Sequence, residues 1–327
     1  MVSLTAGQKA ALSPEAVQFL ENIHQSPLIG ILSNVLTMPS RVPALRRDLE
    51  AKMAPGEAAL IEKHGLRLKD ITVADIPVVV IEPPTIAPEK EKKILFNIFG
   101  GAFIMGSPKD RGALTMAAEL GVRVYSPNFT RSPEAKYPVA RDQILAVYRE
   151  LIHDGPPGGT PIDPADIYCM GASSGAQLLV SMLLVAQQES LPMPRAGMYL
   201  CTPGLDFTGA GDSLVTNARD RDILPISLLS GMVSQNYAPK GIDPKDPLFS
   251  PMYATYDASF PPTVITVGTR DFALSNGVRF YWKLKEVGVK VELLVSEGMW
   301  HGFVWDPVVP EALVGRAAVI KFLEDQP

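Results

Sequence analysis

The stretch "DIYCMGASSGA", residues 166–176, runs from a short apolar segment into two glycines set around a serine, and an apolar run, 176–186, follows at once. The pattern is G-x-S-x-G, with Ser173 at its centre. Between a strand and a helix, Gly171 and Gly175 relieve the crowding of a sharp turn. The hydroxyl is then left at the carboxyl edge of a sheet and at a helix N-terminus. The pentapeptide alone is a weak signal; its place between strand and helix gives it weight.

Working outward, strand and helix patterns alternate on both sides of this turn. "KKILFNIF", "VRVYSPNF", "DIYCMG", "AGMYLCTP", "TVITVG" and "VKVELLVSEG" read as strands, and helical patterns fall at 109–120, 139–153, 174–189, 275–287 and 311–324. Six parallel-type strands interleaved with helices predict an α/β fold with a mostly parallel, doubly wound sheet. Long apolar runs such as "ILFNIF" suit strands buried on both faces. Ahead of them, "LRLKDITVADIPVVVIEPP" (66–84) predicts a hairpin-like pair broken at Asp75. Residues 14–64 read as helical, with one helix opened by Ser13-Pro14-Glu15 and a second over 43–53. Residues 204–255 break the rhythm, with a single helical piece at 226–237.

Composition narrows the function classes. The chain has 327 residues, 46% of them hydrophobic, and a formal net charge of −5. Its basic residues form no large cluster, which argues against a nucleic-acid partner. The longest apolar stretch, 178–186, is far short of a membrane span, and the N-terminus has no signal-like apolar core, so a cytoplasmic protein is expected. The two cysteines, Cys169 and Cys201, lie in strand-like runs and read as buried reduced thiols. Metal-ligand spacing is absent, so neither a metal nor another cofactor is expected.

A serine nucleophile needs a base. Of the four histidines, His24, His64 and His153 precede Ser173, and His301 alone follows it. His301 lies in "EGMWHGF", just past the last strand, where a loop leaves the carboxyl edge. An acid between the two completes the set. Asp271 in "GTRDFALSN" follows a strand end at the same edge; Asp206 and Glu297 are the alternatives. Asp271 also reads as a helix N-cap, a role that Ser275 is expected to fill better. The order Ser…Asp…His is that of the α/β-hydrolases. "FNIFGGAFIMGSP" (96–108) supplies the remaining part. As a P-loop it fails, because Lys109 is displaced from the position after the second glycine. As a donor loop it succeeds: the amides of Gly100, Gly101 and Ala102, with that of Ser174 beside the nucleophile, can face a developing oxyanion.

With "FGGAFIMGS", "GASSGA", "GTRD", "SPMYA" and "EGMWHGF" in order, the chain resembles the hormone-sensitive-lipase branch of the α/β-hydrolases, the bacterial carboxylesterases, over about residues 60–325. The resemblance implies a serine carboxylesterase needing no cofactor, with Ser173 as nucleophile, His301 as base, Asp271 as orienting acid and Gly100, Gly101 and Ala102 in the oxyanion loop. It departs from the family where Phe99 replaces the usual histidine and Ala102 the third glycine. Alanine keeps its N–H, so donation is expected provided the backbone is not forced to positive φ. Phe99 implies a loop held by packing, and Phe99→His is then expected to be tolerated. In the family, helices cap the serine. Residues 1–60 and an insertion at 204–250 suit that role around a core of 61–327, with Phe19, Met38, Leu205, Phe207, Met232 and Tyr237 as expected pocket residues. The substrate implied is a small-molecule ester with a small-to-medium acyl group, or a lactone, to which the "GTRDFALSN…EGMWHGF" wording is closest. An amide or carbamate hydrolase, or a non-catalytic binding protein on the same fold, are the alternative readings. An exposed edge strand makes a homodimer an expected partner arrangement.

Overall fold

The computed structural model describes residues 4–23, 27–217, 222–223 and 225–326. Four N-terminal helices come first: α1 (Ala6–Ala10), α2 (Pro14–Asn22), α3 (Pro27–Leu36) and α4 (Val42–His64). The helix expected over 43–53 runs on to His64. Pro55 sits inside α4 on its exposed side, where the missing N–H costs one hydrogen bond and the helix continues. Gly65 then ends it in the left-handed conformation, with φ 60°.

The hairpin expected around Asp75 is β1 (Arg67–Val73) and β2 (Ile76–Glu82), paired antiparallel from Val73↔Ile76 outward. Ala74 and Asp75 take φ of 50° and 60°, as a tight two-residue connection between right-twisted strands demands. The alternating part follows: β3 (Ile94–Ile98), α5 (Arg111–Leu120), β4 (Arg123–Pro127), α6 (Val139–His153), β5 (Ile167–Ala172), α7 (Ser174–Gln188) and β6 (Gly197–Cys201). After it come α8 (Ser213–Thr216), α9 (Ile226–Met232), β7 (Thr263–Gly268), α10 (Leu274–Glu286), β8 (Val291–Ser296) and α11 (Pro310–Glu324). The helix expected over 226–237 ends at Met232 and passes into a wider π-type turn, Val233–Tyr237.

The sheet order is β1-β2-β4-β3-β5-β6-β7-β8, with β3 to β8 all parallel to one another. Side-chain alternation divides the core between its two faces. In β5, Ile167 and Cys169 join the cluster that also holds Tyr148 of α6, Leu179 of α7 and Phe280 of α10, while Tyr168 and Met170 join the one with Leu114 of α5 and Phe322 of α11. The cysteines are free, buried and on opposite faces, Cys169 with the first cluster and Cys201 with the second. Burial pushes both thiols up, Cys201 to about 12. This is an α/β-hydrolase-type sheet, mostly parallel, with helices on both sides. Among the described residues, no helix is long and apolar enough to cross a membrane.

Strand order reverses beside β3: β4 lies on one side of it and β5 on the other. Parallel sheets hold their ligands outside the carboxyl ends of the strands at such a point.

Candidate active site

Ser173 sits on that edge, between the last residue of β5 and the first of α7, with φ 53° and ψ −117°. A non-glycine residue there stores strain, and the surroundings hold it. The Ser173 amide donates to the Cys201 carbonyl at 2.9 Å, and Gly204 donates to the Ser173 carbonyl at 3.2 Å. The flanking glycines are needed for space. A Cβ on Gly175 would lie 2.1 Å from the Ile98 carbonyl oxygen of β3, and one on Gly171 would lie 2.7 Å from Ala176 Cα.

The loops after β7 and β8 bring Asp271 and His301 to the same place. His301 Nε2 lies 2.9 Å from Ser173 Oγ, and its Nδ1 lies 2.8 Å from Asp271 Oδ1. All but a small part of this line is buried: Asp271 is fully covered and His301 is 8% exposed. Phe272 stacks on the imidazole at 4.3 Å. Burial alone would lower the His301 pKa. The charge and hydrogen bond of Asp271, with the charge of Asp222, outweigh it and raise the value above the usual 6.5.

Asp271 Oδ1 also accepts from the Ala273 amide at 2.7 Å, just ahead of α10. Ser275, expected as the cap of that helix, lies within it and instead exchanges hydrogen bonds with Ser213, its Oγ accepting at 3.0 Å and its amide donating at 2.9 Å. The alternative acids are elsewhere. Asp206 pairs with Arg279 at 2.5 Å, and Glu297 is exposed beside α1. His64 and His153 lie at the ends of α4 and α6, away from Ser173, while His24 falls outside the described residues.

The glycine loop lies against the serine: a Cβ on Gly100 would be 2.6 Å from the Ala172 carbonyl oxygen and 3.3 Å from Ser173 Cβ. Among the described residues, no side chain and no loop or turn carbonyl engages the amides of Gly100, Gly101, Ala102 or Ser174. The Ser174 hydroxyl accepts from the Phe103 amide at 3.3 Å and ties the loop to α7. Ala102 has φ 52°, so the condition set for it on sequence grounds is not met; its peptide pays the left-handed strain that a glycine would avoid. Phe99 is 1% exposed and stacks on Phe129 at 4.3 Å, so the loop is held by packing. In so apolar a niche, the expected tolerance of Phe99→His is reversed.

A cavity of about 290 Å³ opens on Ser173, Gly100, Gly101 and His301, small for a ligand pocket. One wall is α4, through Arg46, Leu49, Met53 and Glu57. None of the six expected pocket residues lines it. Phe19 stacks on Trp300, Met38 is exposed, and Leu205 is in the core. Phe207 and Tyr237 pack on Phe103, and Met232 packs with Val42 and Ile104. The expected residues pack elsewhere, and the wall is built instead from Leu49 and Met53 of α4 with Met105 and Trp305, among a few charged side chains.

One buried residue had no sequence signal. Asp222 Oδ1 accepts from the His301 amide at 3.0 Å, and its Oδ2 accepts from the Phe272 amide at 2.8 Å. A single carboxyl thereby joins the two loops that carry His301 and Asp271. Burial, with the nearby Asp271 charge, pushes its pKa to about 6. Asp222, Asp271 and His301 each offer an atom within 4.8 Å of the others, but hydrogen bonds already engage both Asp222 oxygens, Asp271 Oδ1 and both His301 nitrogens, leaving Asp271 Oδ2 alone unpartnered among the described residues.

A family described by its α/β-hydrolase fold matches residues 95–305. The chain belongs to the α/β-hydrolase fold family. It is 33% identical to an esterase of Acinetobacter venetianus over 70% of this chain and 74% of that one. It is 24% identical to an ethyl acetate hydrolase of Pseudomonas putida over 96% of this chain and 99% of the other. Among solved structures it is similar to the esterase E25, with a TM-score of 0.87, 27% identity and coverage of 100% and 98% of the two chains. An esterase of the bacterial hormone-sensitive-lipase family shares its fold, at a TM-score of 0.77, 24% identity and coverage of 96% and 98%. The resemblance to that branch, expected from the motifs, is borne out.

Proposed function

We propose that this chain, an ester hydrolase of the α/β-hydrolase family, acts through an acyl-enzyme on Ser173. His301 Nε2 takes the Oγ proton as the oxygen attacks the ester carbonyl, and Asp271 holds the imidazole and stabilises its cation. The amides of Gly100, Gly101, Ala102 and Ser174 receive the oxyanion. Collapse of the tetrahedral centre expels the alcohol with the proton from His301. Water, activated by the same imidazole, then releases the acid and restores the hydroxyl. The helices of residues 1–60 act as a cap, α4 being the part that reaches the serine, and the small cavity favours a small-to-medium acyl group or a lactone. β8 ends the sheet, and the expected homodimer would pair there.

The observation that carries this reading is the line Asp271–His301–Ser173, at 2.8 and 2.9 Å, opening on a cavity edged by unengaged amides. A fluorophosphonate probe should label Ser173, and Ser173→Ala should lower p-nitrophenyl ester turnover to near background, a loss of about 10⁶-fold in kcat. Full activity in the variant would refute the assignment. Running lactones beside open esters separates those two substrate classes.

A further inference from the structure

The cavity beside Ser173 is apolar over most of its wall, with Leu49, Met53, Met105 and Trp305 among its lining. Its charged groups fall into two kinds. Arg46 is already engaged: its guanidinium donates to the Ile104 and Ser132 carbonyls, each at 2.7 Å, and to Glu134 at 2.8 and 2.9 Å. Glu50 accepts from Arg131 at 2.8 Å. Glu57 differs from both. It is 6% exposed and lines the cavity, yet its carboxyl has no hydrogen bond or ion pair among the described residues. Asp110, on the same wall, uses Oδ1 to accept from the Ala113 amide at 2.9 Å and cap α5.

The Glu57 oxygens open on the cavity and take no donor from the protein, so they are free to accept one from a bound molecule. Burial raises the pKa of both carboxyls, Asp110 to about 6 with the Glu57 charge adding to the effect. Lys109 and Arg111 act on Glu57 through space without pairing with it. Lys109 and Arg111, with Glu50 opposing them, offset part of the carboxylate's charge, and a neutral donor then meets it without repulsion from these cations. Resting on the ester-hydrolase reading of Ser173, we propose that Glu57, with Asp110 beside it, selects small esters that carry a hydroxyl group away from the scissile bond. A site built to bond a substrate hydroxyl rejects the analogue that lacks it far more strongly than an apolar pocket rejects a methylene.

Two matched pairs test this with the purified full chain: methyl 6-hydroxyhexanoate against methyl hexanoate, and 2-hydroxyethyl acetate against ethyl acetate. The first puts the hydroxyl on the acyl side and the second on the alcohol side. In at least one pair the hydroxylated ester should have a kcat/KM higher by about tenfold or more. Glu57→Leu should collapse that ratio, and Glu57→Gln, which keeps an acceptor oxygen, should retain part of it. The fluorophosphonate labelling rate reports whether each variant folds with a competent serine. Equal kcat/KM within both pairs, with Ser173 still labelled, would overturn the proposal and leave the ester-hydrolase reading standing. So would a stronger preference for ammonium-bearing esters. No turnover and no labelling would mean that the ester reading has failed, and the proposal with it.

Discussion

Two pairs of carboxyls flank Ser173, and they are held in different ways. Behind His301, Asp271 and Asp222 are each tied to the loops around them by N–H donors from His301, Phe272 and Ala273. Across the cavity, Glu57 has no hydrogen-bond partner among the described residues, and Asp110 has only its capping bond. Donors hold Asp222 and Asp271 Oδ1 in place, with Asp271 Oδ2 left unpartnered among the described residues, whereas the Glu57 oxygens open on the cavity where a bound molecule can meet them. The contrast separates the part of the site that must stay still from the part that meets substrate.

The sharpest way to break this comparison is Asp222→Asn. The amide side chain can accept from only one of the two loop N–H groups and turns a donor toward the other. We expect kcat/KM to fall by about tenfold or more, the cost of one unmet buried donor. The pH profile separates positioning from simple damage. His301 must be neutral to accept the serine proton, and its pKa is raised, so activity should be lost as pH falls through a midpoint above the usual 6.5. Asp222 contributes to that rise, so its neutralisation should move the midpoint to lower pH. A lower rate with an unmoved midpoint would make Asp222 a purely structural tie.

Phe99→His tests the packed side of the glycine loop. Placing an imidazole against Phe129, at a position 1% exposed, should cost about 1–3 kcal/mol, read as a lower midpoint in urea. An unchanged midpoint would show that the niche is less apolar than its neighbours indicate. The last test, Asp110→Asn, is read in pH dependence. Asparagine caps a helix as well as aspartate does, but it carries no charge into the cavity wall. The folded pKa of Asp110, about 6, exceeds the model-peptide value of 3.8, so the native state binds the proton more tightly. Wild-type stability should therefore fall relative to the variant as pH rises between those values, with the gap constant above about 6. Parallel stability curves across that range would contradict the assignment.

Much of the fold was legible because burial on two faces writes apolar strands in plain alternation with helices, as in "DIYCMG" and "TVITVG". The geometry at Ser173 was legible because Gly171 and Gly175 have no room for a side chain, and because chain order left His301 as the one histidine after the serine. The cavity wall was not. Choosing large apolar residues as pocket candidates led to Tyr237 and Met232, which pack against the core. One wall is a face of α4, where Arg46 and Glu57 stand beside Leu49 and Met53, and a helical pattern alone does not say which face meets the serine. Asp222 was hidden for the same reason: in "ARDRD" it looks like one charge among several in a turn, and only the tertiary fold brings His301 and Phe272 to it.

The most direct test is to trap the intermediate. Mixing the protein with p-nitrophenyl acetate, quenching in acid within milliseconds and mapping the peptides should find an acetyl group on Ser173, formed in a burst ahead of steady turnover. Hydrolysis with no adduct at this residue, or with the acetyl group on another side chain, would contradict the account.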